Sequence, residues 1–214
     1  MTDFAILLGG RLVRTDRLMK QILGARFIAA DGGMVHADAL DVTPESWVGD
    51  FDSTPDALMA RYANILRETH PAEKNLTDGE LAVSMALAAG ATRLVFVGAM
   101  GGERTDHGMA HLVHALALAE RLRDVLLTSG DEEAYPLLPG TRRLDLPPGS
   151  LFSIIGFSAL EGLTITGARY PLHDFALPFG SSRTLSNVAE GAITLRLAAG
   201  RAIVLARPFD LTGV

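Results

Sequence analysis

Four short apolar runs, each ending in glycine or a carboxylate, constrain this chain more than any other feature. They are FAILLGG (4–10), ARFIAADGG (25–33), ESWVGDFDS (45–53) and RLVFVGAMGG (93–102). Segments with Leu, Met and Ala at helical spacing intervene or follow: RTDRLMKQILG (14–24), TPDALMARYA (54–63), TDGELAVSMALAAG (77–90) and DHGMAHLVHALALAERL (106–122). Near-continuous apolar strands alternating with helices predict an α/β fold over residues 1–136, a mostly parallel sheet with flanking helices. Ligands of such sheets gather at the carboxyl ends of the strands. The polar tails of the four runs are therefore where chemistry is expected.

Beyond residue 136 the pattern changes. SLFSIIGF (150–157), LEGLTITGARYPL (160–172), AITLRLAAG (192–200) and RAIVLARPF (201–209) are β-type runs separated by Gly, Pro and Ser. They predict an antiparallel β-sandwich over 140–214, with the Pro/Gly-rich stretch 136–149 as a linker. A chain of 214 residues has room for two such domains.

Composition narrows the function. A net charge of −6 leaves no basic surplus to displace counterions from a nucleic acid. It does not exclude a nucleotide, because a divalent cation can supply positive charge. There is no cysteine, hence no disulfide, thiolate metal site or Cys nucleophile. The opening residues lack the basic flank of a signal peptide, and no run reaches membrane-spanning length. A cytoplasmic protein that touches neither membrane nor nucleic acid is expected.

Asp50 and Asp52 stand two apart at the end of an apolar run. On an extended strand they would share a face about 6.6 Å apart and could converge on one hard cation such as Mg²⁺. The alternative is a turn in which Asp52 caps the next helix. Asp31 likewise ends a strand and precedes Gly32 and Gly33, which let a ligand approach the backbone. Thr77 and Glu80 form a capping box that starts a helix. At the start of that helix Asp78 gains from the macrodipole, and a metal or phosphate there would gain too. The box does not explain the nearby Lys74, one of only two lysines. In GAMGGERTDHGMAHL (98–112), Arg104 has the planar fork for phosphate oxygens, and Asp106 is either a functional carboxylate or an N-cap. His107, His111 and His114 share a helical face but lack the Glu of a zinc H-E-x-x-H motif. No Walker A loop is present.

These segments in this order resemble the thiamine pyrophosphokinase (thiamine diphosphokinase) family. The resemblance rests on ADGG, GDFDS, EKNLTDGELA and GAMGGERTDH, followed by YPLHDFALPFGSSRTLSN at 170–187. It implies a homodimer with the thiamine site where one subunit's sandwich meets its partner's α/β domain. It also implies Mg²⁺-dependent transfer of diphosphate from ATP to the thiamine hydroxyl, giving thiamine diphosphate and AMP. Asp50, Asp52 and Asp78 would hold Mg²⁺. Asp31, Gly32, Gly33, Lys74, Thr77, Arg104, Asp106 and His107 would line the ATP site, and Ser182, Ser186 and Asn187 the thiamine site. Two departures stand out. The family's Lys-Asp-x-Thr-Asp is Lys74-Asn75-Leu76-Thr77-Asp78, one charge fewer, and its Gly-Gly-Arg-x-Asp-His is one residue longer through Glu103. A diphosphokinase for another alcohol such as a hydroxymethylpterin, a hydrolase, and a non-catalytic nucleotide-binding module are the alternatives.

Overall fold

The computed structural model describes residues 2–51, 54–69, 76–102, 104–122 and 124–211. The chain separates into two compact units, Met1–Met109 with Leu122–Gly130, and Ala110–Arg121 with Asp131–Val214.

In the first unit the strands are β1 (Asp3–Leu7), β2 (Arg26–Ala30), β3 (Ser46–Gly49), β4 (Leu66–Thr69), β5 (Arg93–Val97) and β6 (Asp124–Thr128). They form a parallel sheet in the order β4-β3-β2-β1-β5-β6. Phe4–Leu7 of β1 and Leu94–Val97 of β5 are fully buried, as central strands covered on both faces must be. The helices are α1 (Asp16–Gln21), α2 (His36–Leu40), α3 (Asp56–Arg61) and α4 (Asp78–Ala88), with a 3-10 turn over Asp31–Val35; α5 (Thr105–Ala119) starts in this unit, and its residues from Ala110 onward belong to the second. The α4 helix packs on β1, β2 and β3. Its buried face, Gly79, Ala82, Val83 and Ala86, repeats at helical spacing, and its small side chains let the helix lie close to the sheet.

Two strands and one helix of this unit escaped the sequence reading: β4, β6 and α2. The β4 run LRET is short, mixed in polarity and sits at the sheet edge, so it carries no strand periodicity.

The second unit holds β7 (Glu133–Leu137), β8 (Gly140–Leu144), β9 (Leu151–Gly156), β10 (Leu160–Ala168), β11 (Leu172–Leu177), β12 (Asn187–Leu197) and β13 (Ala202–Arg207). All its pairings are antiparallel. The β7, β13 and β9 strands lie side by side, and β9 meets the start of β12 at Asn187 and Val188. The rest of β12 pairs with β10 and β8, and β10 pairs with β11. A single long strand thus passes from one sheet into the other, as at the corner of a sandwich. Phe152, Ile154, Leu163, Ile165, Ile193 and Leu195 fill the core.

The expected linker over 136–149 is not one. It contains the end of β7 and all of β8, which pairs with β12 from Gly140↔Leu197 to Leu144↔Ile193. Pro139 before β8 and Pro147, Pro148 and Gly149 after it mark the turns on either side, so turn chemistry resembles linker composition. Among the described residues, no helix is long and apolar enough to cross a membrane.

Candidate active site

The chain leaves β1 through β2, β3 and β4 on one side of the sheet, then returns to β5 and β6 on the other. The pair β1/β5 is therefore the point where strand order reverses. In open α/β sheets the crevice above such a point is the usual ligand site. Three loops meet there: Gly9–Gly10–Arg11 after β1, Asp31–Gly32–Gly33 after β2, and Gly98–Gly102 after β5.

Backbone contact fixes these loops. A Cβ added to Gly33 would stand 2.0 Å from Leu7 O, so no other residue fits. Arg11 lies along the β5 loop, its Cβ 3.6 Å from where a Gly101 Cβ would project. The sequence reading did not single out Arg11. Its signal was a lone arginine after two glycines, which has no motif.

Asp31 and Asp50 end neighbouring strands. A Cβ on Gly49 would lie 3.4 Å from Asp31 Cα, so the two carboxylate-bearing loops touch. Trp47 Nε1 donates to Asp31 O at 2.8 Å and anchors the turn. Asp31 has φ +43 and Phe51 φ +62, left-handed conformations that are costly for residues with side chains. Left-handed backbone thus lies directly after Asp50, at Phe51, and on the neighbouring strand end, at Asp31. Phe51 packs edge-on against Trp47, with ring centroids 5.1 Å apart.

The positive φ of Phe51 corrects one geometric expectation. The β3 strand ends at Gly49, and the chain turns at Phe51 instead of continuing extended. Strand alternation therefore does not set the direction of Asp50. Asp52 lies outside the described residues, as do Lys74, Asn75 and Glu103. The N-cap of α3 is Pro55, with no side-chain cap.

Asp78 is the first residue of α4. As the crossover from β4 to β5, α4 must start at the carboxyl ends of the strands, the same end as Asp31 and Asp50. The capping box forms as the sequence predicts: Glu80 N–H donates to Thr77 Oγ1 at 3.2 Å, and Thr77 N–H donates to Glu80 Oε2 at 2.8 Å. The Thr77 hydroxyl also donates to Glu80 Oε2 at 3.0 Å.

Arg104 forks onto Asp106, Nε to Oδ1 at 3.0 Å and Nη2 to Oδ2 at 2.7 Å. Both side chains are about two-thirds exposed. The Arg104 hydrogen bonds, first among several influences, hold the Asp106 carboxyl well below the usual carboxylate range. Because α5 starts at Thr105, Asp106 lies inside its first turn and is not the N-cap. His107 is exposed beside it.

Among the described residues, no three carboxylate or imidazole groups close into a metal site. The donors at the strand ends are carboxylates, in a chain without thiols. That chemistry fits a hard, oxygen-seeking cation such as Mg²⁺.

In the second unit a cavity of about 220 Å³ opens between β10 and the loop before β12, lined by Ile165, Tyr170, Arg183, Thr184, Leu185 and Asn187 among others. Asn187 belongs to it; Ser182 and Ser186 are exposed and do not line it. Asn187 Nδ2 donates to Tyr170 O at 2.8 Å, and its Oδ1 accepts the N–H groups of Tyr170 at 3.1 Å and Val188 at 2.8 Å. The loop is pinned from below as Thr184 Oγ1 donates to Ile154 O at 2.6 Å. Ser186, at φ +54, donates its N–H to Ser153 Oγ at 3.0 Å. Tyr170 and Arg183 lie inside YPLHDFALPFGSSRTLSN (170–187), but no motif or spacing there marks either of them.

Both halves match known families. Residues 7–126 match the family model described as "Thiamin pyrophosphokinase, catalytic domain", and residues 142–201 the one described as "Thiamin pyrophosphokinase, vitamin B1 binding domain". A thiamine pyrophosphokinase of Bacillus subtilis (strain 168) is 27% identical over 165 residues, 75% of this chain and 77% of its own. The crystal structure of thiamine pyrophosphokinase from Bacillus subtilis matches with a TM-score of 0.86 at 24% identity, covering 98% of this chain and 100% of that one. That of a thiamin pyrophosphokinase family protein from Enterococcus faecalis matches with a TM-score of 0.80 at 24% identity, covering 97% and 99%. At such identities the structural likeness establishes the fold.

Proposed function

Since the chain belongs to the thiamin pyrophosphokinase family, we propose that it transfers the diphosphate of ATP to the hydroxyl of thiamine, releasing AMP. The observation that carries this reading is the tandem match of a catalytic and a vitamin B1 binding domain in one chain.

Asp50, Asp52 and Asp78 are the residues that would hold Mg²⁺. When bound, the ion supplies charge neutralisation at the phosphate oxygens. Asp31, with Gly32 and Gly33, shapes the floor of the nucleotide site, and the Thr77 cap and Asp78 form its helical edge. Lys74 and Arg104 offset the charge that moves toward the α-phosphate as the bond breaks, while Asp106 and His107 hold the rim around Arg104. Transfer is an in-line displacement. The thiamine oxygen bonds to the β-phosphorus, the bridging α–β oxygen leaves with AMP, and the hydroxyl proton passes to Asp50 or Asp78. Positioning supplies most of the rate, as in phosphoryl transfer generally.

Thiamine occupies the cavity beside Tyr170 and Asn187, whose ring face and small volume suit a flat heterocycle. Ser182 and Ser186, exposed on the same loop, lie near the cavity without lining it and would complete the pocket around bound thiamine. The protein works as a cytoplasmic homodimer, with the partner's α/β domain completing that site.

The test is product analysis with ATP, Mg²⁺ and thiamine. Equal amounts of AMP and thiamine diphosphate are expected, abolished by a chelator. ADP with thiamine monophosphate overturns the β-attack, and ATP cleavage at full rate without thiamine favours a hydrolase.

A further inference from the structure

One side chain joins the β1 and β5 loops, and the transfer chemistry gives it no role. His36 opens α2, just past the Asp31–Gly32–Gly33 turn, and its half-buried ring reaches back over the sheet end. Its Nε2 lies 2.8 Å from Gly10 O. A carbonyl only accepts, so Nε2 carries the proton and donates.

The same ring edge closes on Gly98. A Cβ added there would stand 3.2 Å from both His36 Cδ2 and Nε2, and 2.4 Å from Leu8 O. Gly98 has φ +72, so the position admits glycine alone. The two loops also bond directly, Gly10 N–H to Gly98 O at 2.9 Å and Leu8 N–H to Val97 O at 2.8 Å. His36 is thus a contribution from the β2 side to a joint made by the β1 and β5 loops.

This joint sits at the reversal of strand order, where the spacing of two glycine loops sets the width of the crevice. Burial outweighs the pull of the Gly10 and Leu8 carbonyls and lowers the ring's pKa. The imidazole therefore stays neutral at pH 7. It brings no charge to a phosphate site; what it offers is a fixed length between backbone segments.

We infer that His36 is a positioning residue of the nucleotide crevice: by bonding Gly10 O and packing on Gly98 it fixes the separation of the β1 and β5 loops that receive the phosphates of ATP. The inference deepens the proposed function and rests on its use of ATP.

The experiment measures equilibrium binding of ATP with Mg²⁺, and KM for ATP and for thiamine, in wild type, H36A and H36Q. H36A should weaken ATP binding and raise its KM by about tenfold, with the thiamine KM within about twofold of wild type. H36Q, whose side-chain amide can still donate to Gly10 O, should return ATP binding to within about threefold of wild type. A general loss of structure would move both substrates together and would not be rescued. If H36A does not fold, H36N takes its place, polar but too short to restore the bond. The inference is overturned if H36A (or H36N) binds ATP as wild type does, if H36Q is no better than H36A, or if both substrates weaken equally. ATP binding needs no transfer. A wild-type protein that binds ATP but makes no thiamine diphosphate defeats the proposed function, while the His36 variants still decide this point. One that binds no ATP overturns both.

Discussion

Asn187 and the backbone of Tyr170 form a closed amide pair, Nδ2 donating to Tyr170 O at 2.8 Å and Oδ1 accepting Tyr170 N–H at 3.1 Å. Asn187 is 4% exposed, so the pair is made almost out of water. The asparagine stands at the start of β12 while Tyr170 sits between β10 and β11, and this one side chain sets the wall of the cavity. Its polar groups are directed at the backbone of Tyr170 and Val188, so in the proposed thiamine site its part would be to hold Tyr170 in place.

Replacing Asn187 with Asp tests that role. The carboxylate keeps the accepting oxygen but turns a second oxygen toward Tyr170 O, where a donor is required. Leaving that carbonyl without its donor should cost about 1–3 kcal/mol in chemical denaturation. The thiamine KM should rise by roughly tenfold with the ATP KM unchanged. A ligand contact without a structural role would lose thiamine binding and keep full stability.

Arg104 and Asp106 lead to a prediction of the opposite kind. Their fork is exposed, and exposed pairs contribute little to folding. At pH 7 the D106N variant should unfold at the wild-type denaturant concentration. If the carboxylate orients Arg104 for phosphate, its ATP KM should nevertheless rise by roughly fivefold. R104K, which keeps the charge but loses the planar fork, should be affected at least as much. An unchanged ATP KM in both would remove this pair from the site.

The sequence made the switch from parallel to antiparallel architecture legible because each grammar repeats over many residues. The Thr77–Glu80 box was legible because its two partners lie three residues apart. What escaped depends on contacts remote in sequence. His36 meets Gly10 across 26 positions, and nothing near His36 distinguishes it from any helical histidine. Phe51 broke the strand rule for a different reason: its backbone is left-handed, a conformation rare for an aromatic residue, and propensity does not anticipate it. Asn187 was recognised as a residue of interest, but its partner, a backbone 17 positions away, was not.

Thr77 separates a helix cap from a ligand contact. Its hydroxyl both accepts from Glu80 N–H and donates to Glu80 Oε2, so its hydrogen-bonding groups serve the start of α4. T77A should lower stability by about 1 kcal/mol, and T77S should restore it. Since Asp78 begins the same helix, fraying of that turn should also lower kcat, by about threefold, in proportion to the lost cap. A much larger loss of ATP affinity at normal stability would make Thr77 a direct nucleotide contact.

The pH dependence of stability should carry the signature of His36. Burial, opposed by the Gly10 and Leu8 carbonyls, puts its folded pKa below the ordinary value. The unfolded chain therefore takes up the proton first, at about pH 6.5. Below that pH the unfolded state binds more protons at this site than the folded state, so stability falls with acidification until the depressed folded value is reached. Well above about pH 6.5 the ring is neutral in both states and contributes no slope. Denaturation midpoints of wild type and H36Q at pH 7.5, 6.5 and 5.5 isolate the effect, because other titrating groups are common to both. The wild type should lose more stability than H36Q between pH 6.5 and 5.5, and the divergence should be smaller between 7.5 and 6.5. Parallel curves throughout would mean that the imidazole gains its proton as readily in the fold as in water, and that burial does not hold it neutral.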